Sequence, residues 1–251
     1  MVVVSAHPPA SYRLETAADR GALSRLAAET IAASIDLALA ERERAQIALA
    51  GGTTPEQAYH LLAANHLPWQ RVDVLLGDER WVPADDPSSN ALMLRRSLLA
   101  EGPGAQACFH PVPTALESPE RGAAAYDALL AQLCPGQPPI FDLILLGLGD
   151  DGHTASLFPG TAATGVVDCN VTVSEGKGLP RVTFTAPVLS AARQVVILVS
   201  GSGKQQALQR LLDPNEPAAR TPARLVRPRT PVLILADAAA AAGLEDPTKQ
   251  P

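Results

Sequence analysis

Short apolar runs recur along the chain, each closed by a polar or glycine-marked break: QIALA before Gly51, VDVLL before Gly77, FDLILL before Gly147, VVILV before Gly201 and VLILA before Asp237. Runs that are apolar on both faces fit strands buried in a parallel sheet, because a sheet with one wet face alternates apolar and polar residues. The stretches between them have helical spacing. Leu23, Leu26, Ala27, Ile31 and Ile35 recur at three- and four-residue steps and predict a helix over residues 17–44. Further helices are predicted after Pro55, through Ala58, Leu61 and Leu62, and over residues 90–100, 205–212 and 238–242. Between Asp168 and Thr185, VDCNVTVS and RVTFT are β-branched and alternating, which predicts a small antiparallel ribbon. The fold class is therefore α/β: a doubly wound, mostly parallel sheet with helices on both faces. In such a sheet, ligands bind beyond the carboxyl ends of the strands.

Length and composition narrow this to one domain over residues 1–251. Proline-dense stretches at 83–87, 111–119, 135–139 and 214–231 read as loops within it, since none is long or simple enough for a linker. The formal net charge is −6, with no cluster of Lys and Arg, so a nucleic-acid partner is not expected. Cys108, Cys134 and Cys169 are widely spaced, which argues against a disulfide framework or a zinc site. MVVVSAHPPA lacks the features of a leader, and no apolar run approaches the ~20 residues of a membrane span. A soluble cytoplasmic protein is expected.

Candidate chemistry lies in four places. LLGLGDDGHTASLFPG spells G-x-G-x-x-G through Gly147, Gly149 and Gly152, the spacing of a dinucleotide turn. A dinucleotide needs a long helix after the third glycine, and Pro159 and Gly160 stop one, so a nicotinamide cofactor is disfavoured. What remains is a loop whose backbone N–H groups can approach a ligand, carrying Asp151 and His153. An imidazole that titrates near neutrality, beside a carboxylate that can fix its tautomer, suits a general base acting on water. No G-x-S-x-G elbow supplies a serine nucleophile. His7, His60, His66 and His110 show no metal-binding spacing, and no metal is expected.

In GDERWVPADDPSSN, Asp78, Glu79 and Arg80 follow a buried strand on the same sheet edge, with Arg80 able to fork onto an oxyanion or phosphate. AGGTTPEQ joins Gly51, Gly52, Thr53 and Thr54 to a helix start at Pro55, a phosphate cradle of N–H groups, hydroxyls and dipole. VSGSGKQQ is not a Walker A loop, because Leu198 stands at the leading glycine and Gln205 follows Lys204. Lys204 is nevertheless placed to hold a phosphate monoester, and Arg181 of RVTFT is a weaker candidate for the same task.

In this order, GGTTP, DERWVP with its following SN, LGLGDDGHTASLFPG, and RVTFT with SGSGK closely resemble the 6-phosphogluconolactonase family, over residues 49–242. Members carry a GG-[ST]-TP loop, a DER-x-VP segment and a GxGxDGHTASLFP loop. The resemblance implies the modified Rossmann-like fold of the sugar-phosphate isomerase and deaminase superfamily, no cofactor, and a small-molecule substrate as the partner. It implies hydrolysis of 6-phospho-D-glucono-1,5-lactone in the oxidative pentose phosphate pathway. In that reading His153 deprotonates water attacking C1, loop N–H groups or Arg80 hold the oxyanion, and His153 returns the proton to the ring oxygen. Asp151 and Asp78 orient the imidazole or the water, with the division between them open. The 6-phosphate falls to some of Thr53, Thr54, Arg80, Arg181 and Lys204. Gly51, Gly52, Glu79, Gly149 and Gly152 complete the expected substrate-binding set.

The oligomeric state is left open, and a monomer is compatible. Two other readings fit less well. Glucosamine-6-phosphate deaminase carries DGHIAFNEP and a DEY segment, whereas here no acid follows His153 and Arg80 replaces the tyrosine. A non-catalytic sugar-phosphate-binding regulator calls for a DNA-binding helix pair or a lost His153, and the sequence has neither.

Overall fold

The structure, a computed structural model, describes residues 11–244. MVVVSAHPPA, read above for a leader, and His7 lie outside the described residues. The strands are β1 (Tyr12–Ala17), β2 (Ala45–Leu49), β3 (Val72–Leu76), β4 (Asp78–Arg80), β5 (Cys108–Phe109), β6 (Leu143–Gly147), β7 (Val171–Gly176), β8 (Leu179–Phe184), β9 (Gln194–Val199) and β10 (Val232–Asp237). Seven of them form a parallel sheet in the order β1-β10-β9-β6-β2-β3-β5, and β4-β8-β7 form a separate antiparallel sheet. Every residue of β2 and β3 is buried, as strands covered on both faces should be. The expected mostly parallel sheet and antiparallel ribbon are both present.

The helices are α1 (Arg20–Glu41), α2 (Thr53–Ala63), α3 (Asn90–Arg96), α4 (Pro119–Leu133), α5 (Ala186–Ala191), α6 (Gln205–Leu212) and α7 (Ala238–Ala241). Helix α1 buries Leu23, Ala27, Ile31, Ile35 and Ala38 along one stripe. It starts at Arg20, later than predicted, because Asp19 caps the N–H of Ala22 at 2.8 Å and Ala17 still pairs with Asp237 of β10. Helix α3 stops at Arg96, short of the predicted residue 100, where the Ser97 hydroxyl bonds back to the Met93 carbonyl at 2.8 Å.

Five elements were not evident in the sequence: β1, β4, β5, α4 and α5. Strand β1 is an edge strand with Arg13 and Thr16 exposed, so it shows no apolar run. Helix α4 starts at Pro119, the end of a stretch read as loop, with Ser118 as its N-cap. Its buried Tyr126 hydroxyl accepts from the Leu76 N–H at 2.9 Å, which fixes the end of β3 just before Asp78. All three cysteines are free. Among the described residues, no helix is long and apolar enough to cross a membrane.

Candidate active site

The ends of β2, β3, β6 and β9 open on a cavity of about 280 Å³. The β2–α2 turn contributes Gly51, Gly52, Thr53 and Thr54, and β4 contributes Asp78 and Arg80. The loop after β6 brings Gly149 and His153, β8 brings Arg181, and the turn before α6 brings Lys204. Four clusters separate in sequence thus converge where a doubly wound sheet presents its ligands. The cavity is also lined by Asn90 and Lys177, which the motif reading did not place there. Arg80, Lys177, Arg181 and Lys204 face it against a single carboxylate, Asp78, in a chain of net charge −6. That local excess of positive charge selects an anionic ligand.

The loop after β6 holds no helix where a dinucleotide would need one; the next helical turn is a single 3-10 segment, Ala162–Gly165. Instead it closes on itself, with Gly149 N–H donating to the His153 carbonyl at 2.8 Å and the Thr154 hydroxyl to the Gly147 carbonyl at 2.8 Å. Gly149 is required by close approach, since a Cβ there would lie 2.0 Å from His153 Nδ1. Gly152 has φ +88° and packs on Thr221; it shapes the turn and does not line the cavity.

Asp151 Oδ1 accepts from the His153 backbone N–H at 3.0 Å and lies 2.5 Å from His153 Nδ1. With Nδ1–H donating to the carboxylate, the lone pair sits on Nε2. The imidazole is largely buried and its ring centroid is 4.3 Å from that of Phe158. Burial is the main reason that its pKa falls below the usual histidine value; the Asp151 hydrogen bond and charge oppose the shift without cancelling it. The imidazole is therefore neutral at neutral pH. For Asp151, burial acts upward, but the hydrogen bonds from His153 prevail and hold the carboxyl below its usual range.

Asp78 does not touch the imidazole. Its Oδ2 accepts from the buried Ser156 hydroxyl at 2.5 Å and lies 3.8 Å from Arg181 Nη1. The DER segment forms a short strand, in which Asp78 pairs with Thr183, and Arg80 stands directly across from Arg181. Like charges facing each other in a sheet are unfavourable unless a counter-charge joins them. Burial lowers the pKa of Arg181, Asp78 opposes this, and Arg80 adds to it.

Glu79, expected at the substrate, faces the scaffold. Its carboxylate accepts the backbone N–H groups of Arg80 (2.8 Å), Asn90 (2.8 Å) and Ala91 (2.7 Å), so it caps the start of α3 and does not line the cavity. Burial pushes its pKa up, against those three bonds. Asn90 in turn donates from Nδ2 to the Asp78 carbonyl at 2.9 Å and lies flat against Gly51. A Cβ on Gly51 would sit 1.8 Å from Asn90 Oδ1. Gly51→Ala is expected to displace that buried amide and destabilise the fold by about 1–3 kcal/mol, read as a lowered urea midpoint at unchanged m. Among the described residues, no three His, Cys, Asp or Glu side chains gather as a metal site.

Both the sequence and the fold of this chain have known relatives. A family model described as glucosamine-6-phosphate isomerases/6-phosphogluconolactonase matches residues 18–235, and the chain belongs to this family. A 6-phosphogluconolactonase of Synechocystis sp. is 47% identical over 206 residues, covering 81% of this chain and 86% of that protein. A second, from Nostoc sp., is 40% identical over 234 residues, covering 92% and 98%. The structure of 6-phosphogluconolactonase from Trypanosoma brucei superposes with a TM-score of 0.83 at 31% identity, covering 94% of this chain and all of that one (100%). A monomeric glucosamine-6-phosphate deaminase shares the fold, with a TM-score of 0.78 at 22% identity and coverage of 91% and 98%.

Proposed function

We propose that the chain is a 6-phosphogluconolactonase, hydrolysing 6-phospho-D-glucono-1,5-lactone to 6-phosphogluconate with water activated by His153. The observation that carries this reading is the Asp151–His153 pair, with His153 at the wall of a cavity that Arg80, Lys177, Arg181 and Lys204 also line. A buried imidazole that is neutral at neutral pH, with Nε2 free of Asp151, can take a proton from water as its oxygen bonds to C1. The resulting imidazolium, supported by Asp151, returns that proton to the ring oxygen when the C1–O bond breaks. Thr53, Thr54 and Lys204 bind the 6-phosphate, and Arg80 and Arg181 supply further positive charge. Asp151 is the orienting acid; Asp78 acts from a distance, holding Ser156 and Arg181 in place.

Deamination is the weaker reading. Thr154, Ala155 and Ser156 follow His153, and the Ser156 hydroxyl is already committed to Asp78. A small phosphorylated lactone is the only partner that the site requires, and a cytoplasmic location suits it. The direct test couples product formation to 6-phosphogluconate dehydrogenase and subtracts spontaneous lactone opening; no excess rate with the wild-type protein would end the assignment.

The pH profile is a second check. A base works only when unprotonated, and the His153 pKa lies below the ordinary value of about 6.5. The kcat/KM is therefore expected to stay flat through neutrality and to fall only as pH drops through that depressed value. Initial rates between about pH 5 and 8 measure it, and an acid limb centred above about 6.5 would contradict the buried-base geometry.

A further inference from the structure

Lys177 stands at the tip of the β7–β8 hairpin, in a two-residue turn where φ is +53° for Lys177 and +77° for Gly178. Such a turn favours Asn, Asp or Gly at its first position, because a long L side chain is strained in the left-handed region. Lysine is a poor local choice there. Packing does not account for it either, since the side chain is 57% exposed. It does line the cavity, and its Nζ lies 3.8 Å from Asp150 Oδ1, on the residue preceding Asp151. That ion pair is long and both partners are open to water, so little holds the ammonium in place.

The two arginines of the cavity are committed elsewhere. Arg181 Nε donates to the Gly176 carbonyl at 3.1 Å and its guanidinium neighbours Asp78. Arg80 Nη1 donates to the Ser88 carbonyl. Lys204 also lines a second depression with Thr53, Thr54 and Ser200, where the lactonase reading puts the phosphate. Lys177 is close enough to the base for its charge to lower the pKa of both His153 and Asp151.

We infer that Lys177 is the ligand of the reacting end of the substrate: its ammonium exchanges Asp150 for the oxygen that becomes anionic at C1, and then for the product carboxylate. This rests on the lactonase reading above. The lactone carbonyl is neutral, while the tetrahedral oxyanion and the carboxylate are charged. A cation placed there favours the transition state and product over the bound substrate, and so acts on kcat rather than on KM.

Lys177→Asn removes the ammonium and gives the turn a residue that it prefers, so the variant should fold with a Tm equal to or above that of the wild type. Its kcat is expected to fall about tenfold, and Ki for 6-phosphogluconate as a product inhibitor to rise about tenfold, while KM for the lactone stays within about twofold. Lys177→Arg keeps the charge and should recover most of both losses. A parallel rise of Ki and KM would place Lys177 at the phosphate and overturn the inference, as would unchanged kcat and Ki. Failure of the lactonase reading is distinct: the wild-type protein itself would then show no hydrolysis, and the inference would fall with it.

Discussion

Replacing His153 by alanine is expected to lower kcat for lactone hydrolysis by about two to four decades, with KM little changed. The imidazole is the only group at the cavity wall that is both neutral near neutrality and held in one tautomer, by the 2.5 Å contact of Nδ1 with Asp151. The phosphate, by contrast, is assigned in the proposed function to cations and hydroxyls on other elements, so ground-state affinity should not depend on the ring. The loss should therefore lie in the chemical step. Steady-state rates corrected for spontaneous opening measure it, and a variant within about tenfold of wild type would remove His153 from the role of base.

Asp151 should separate orientation from charge. Its Oδ1 accepts from both the His153 backbone N–H and Nδ1, so Asp151→Asn can keep both hydrogen bonds through its amide oxygen and lose only the negative charge. Asp151→Ala loses everything. We expect kcat to fall about tenfold in the first variant and by about two to three decades in the second, where neither tautomer nor ring position is enforced. The pH dependence has a definite sign. The carboxylate raises the imidazole pKa against burial, so removing it should move the acid limb of kcat/KM to still lower pH even as the plateau drops. A limb that moves upward would mean that Asp151 does not act on His153 in solution.

The parts legible in the sequence were those that express themselves locally. Buried strands announce themselves as apolar runs, and the Pro159–Gly160 stop distinguished the His153 loop from a dinucleotide turn. Glu79 misled because D-E-R gives no sign of which side chain turns inward; that was decided by the free N–H groups of a helix beginning eleven residues later, at Asn90. Asp78 and Asp151 were equivalent candidates until a long-range contact gave Asp78 to Ser156 and the fold of the loop gave Asp151 to the imidazole. Strand β1 owes its existence to pairing with β10 at the far end of the chain, and Lys177 belongs to no motif. Its signal was the mismatch between a lysine and the turn that it occupies.

The proposed base and the acid proposed to orient it are two residues apart in one self-closed loop, whereas the groups proposed to hold the phosphate come from separate strands and helices. Warming the protein loosens contacts between elements well before it changes covalent spacing within a turn. Heat should therefore erode the hold on substrate first, leaving a protein that still carries a correctly poised imidazole but presents it with fewer lactones. Thermal adaptation of this scaffold would then act on the joints between its sheets, with the catalytic loop left as it is.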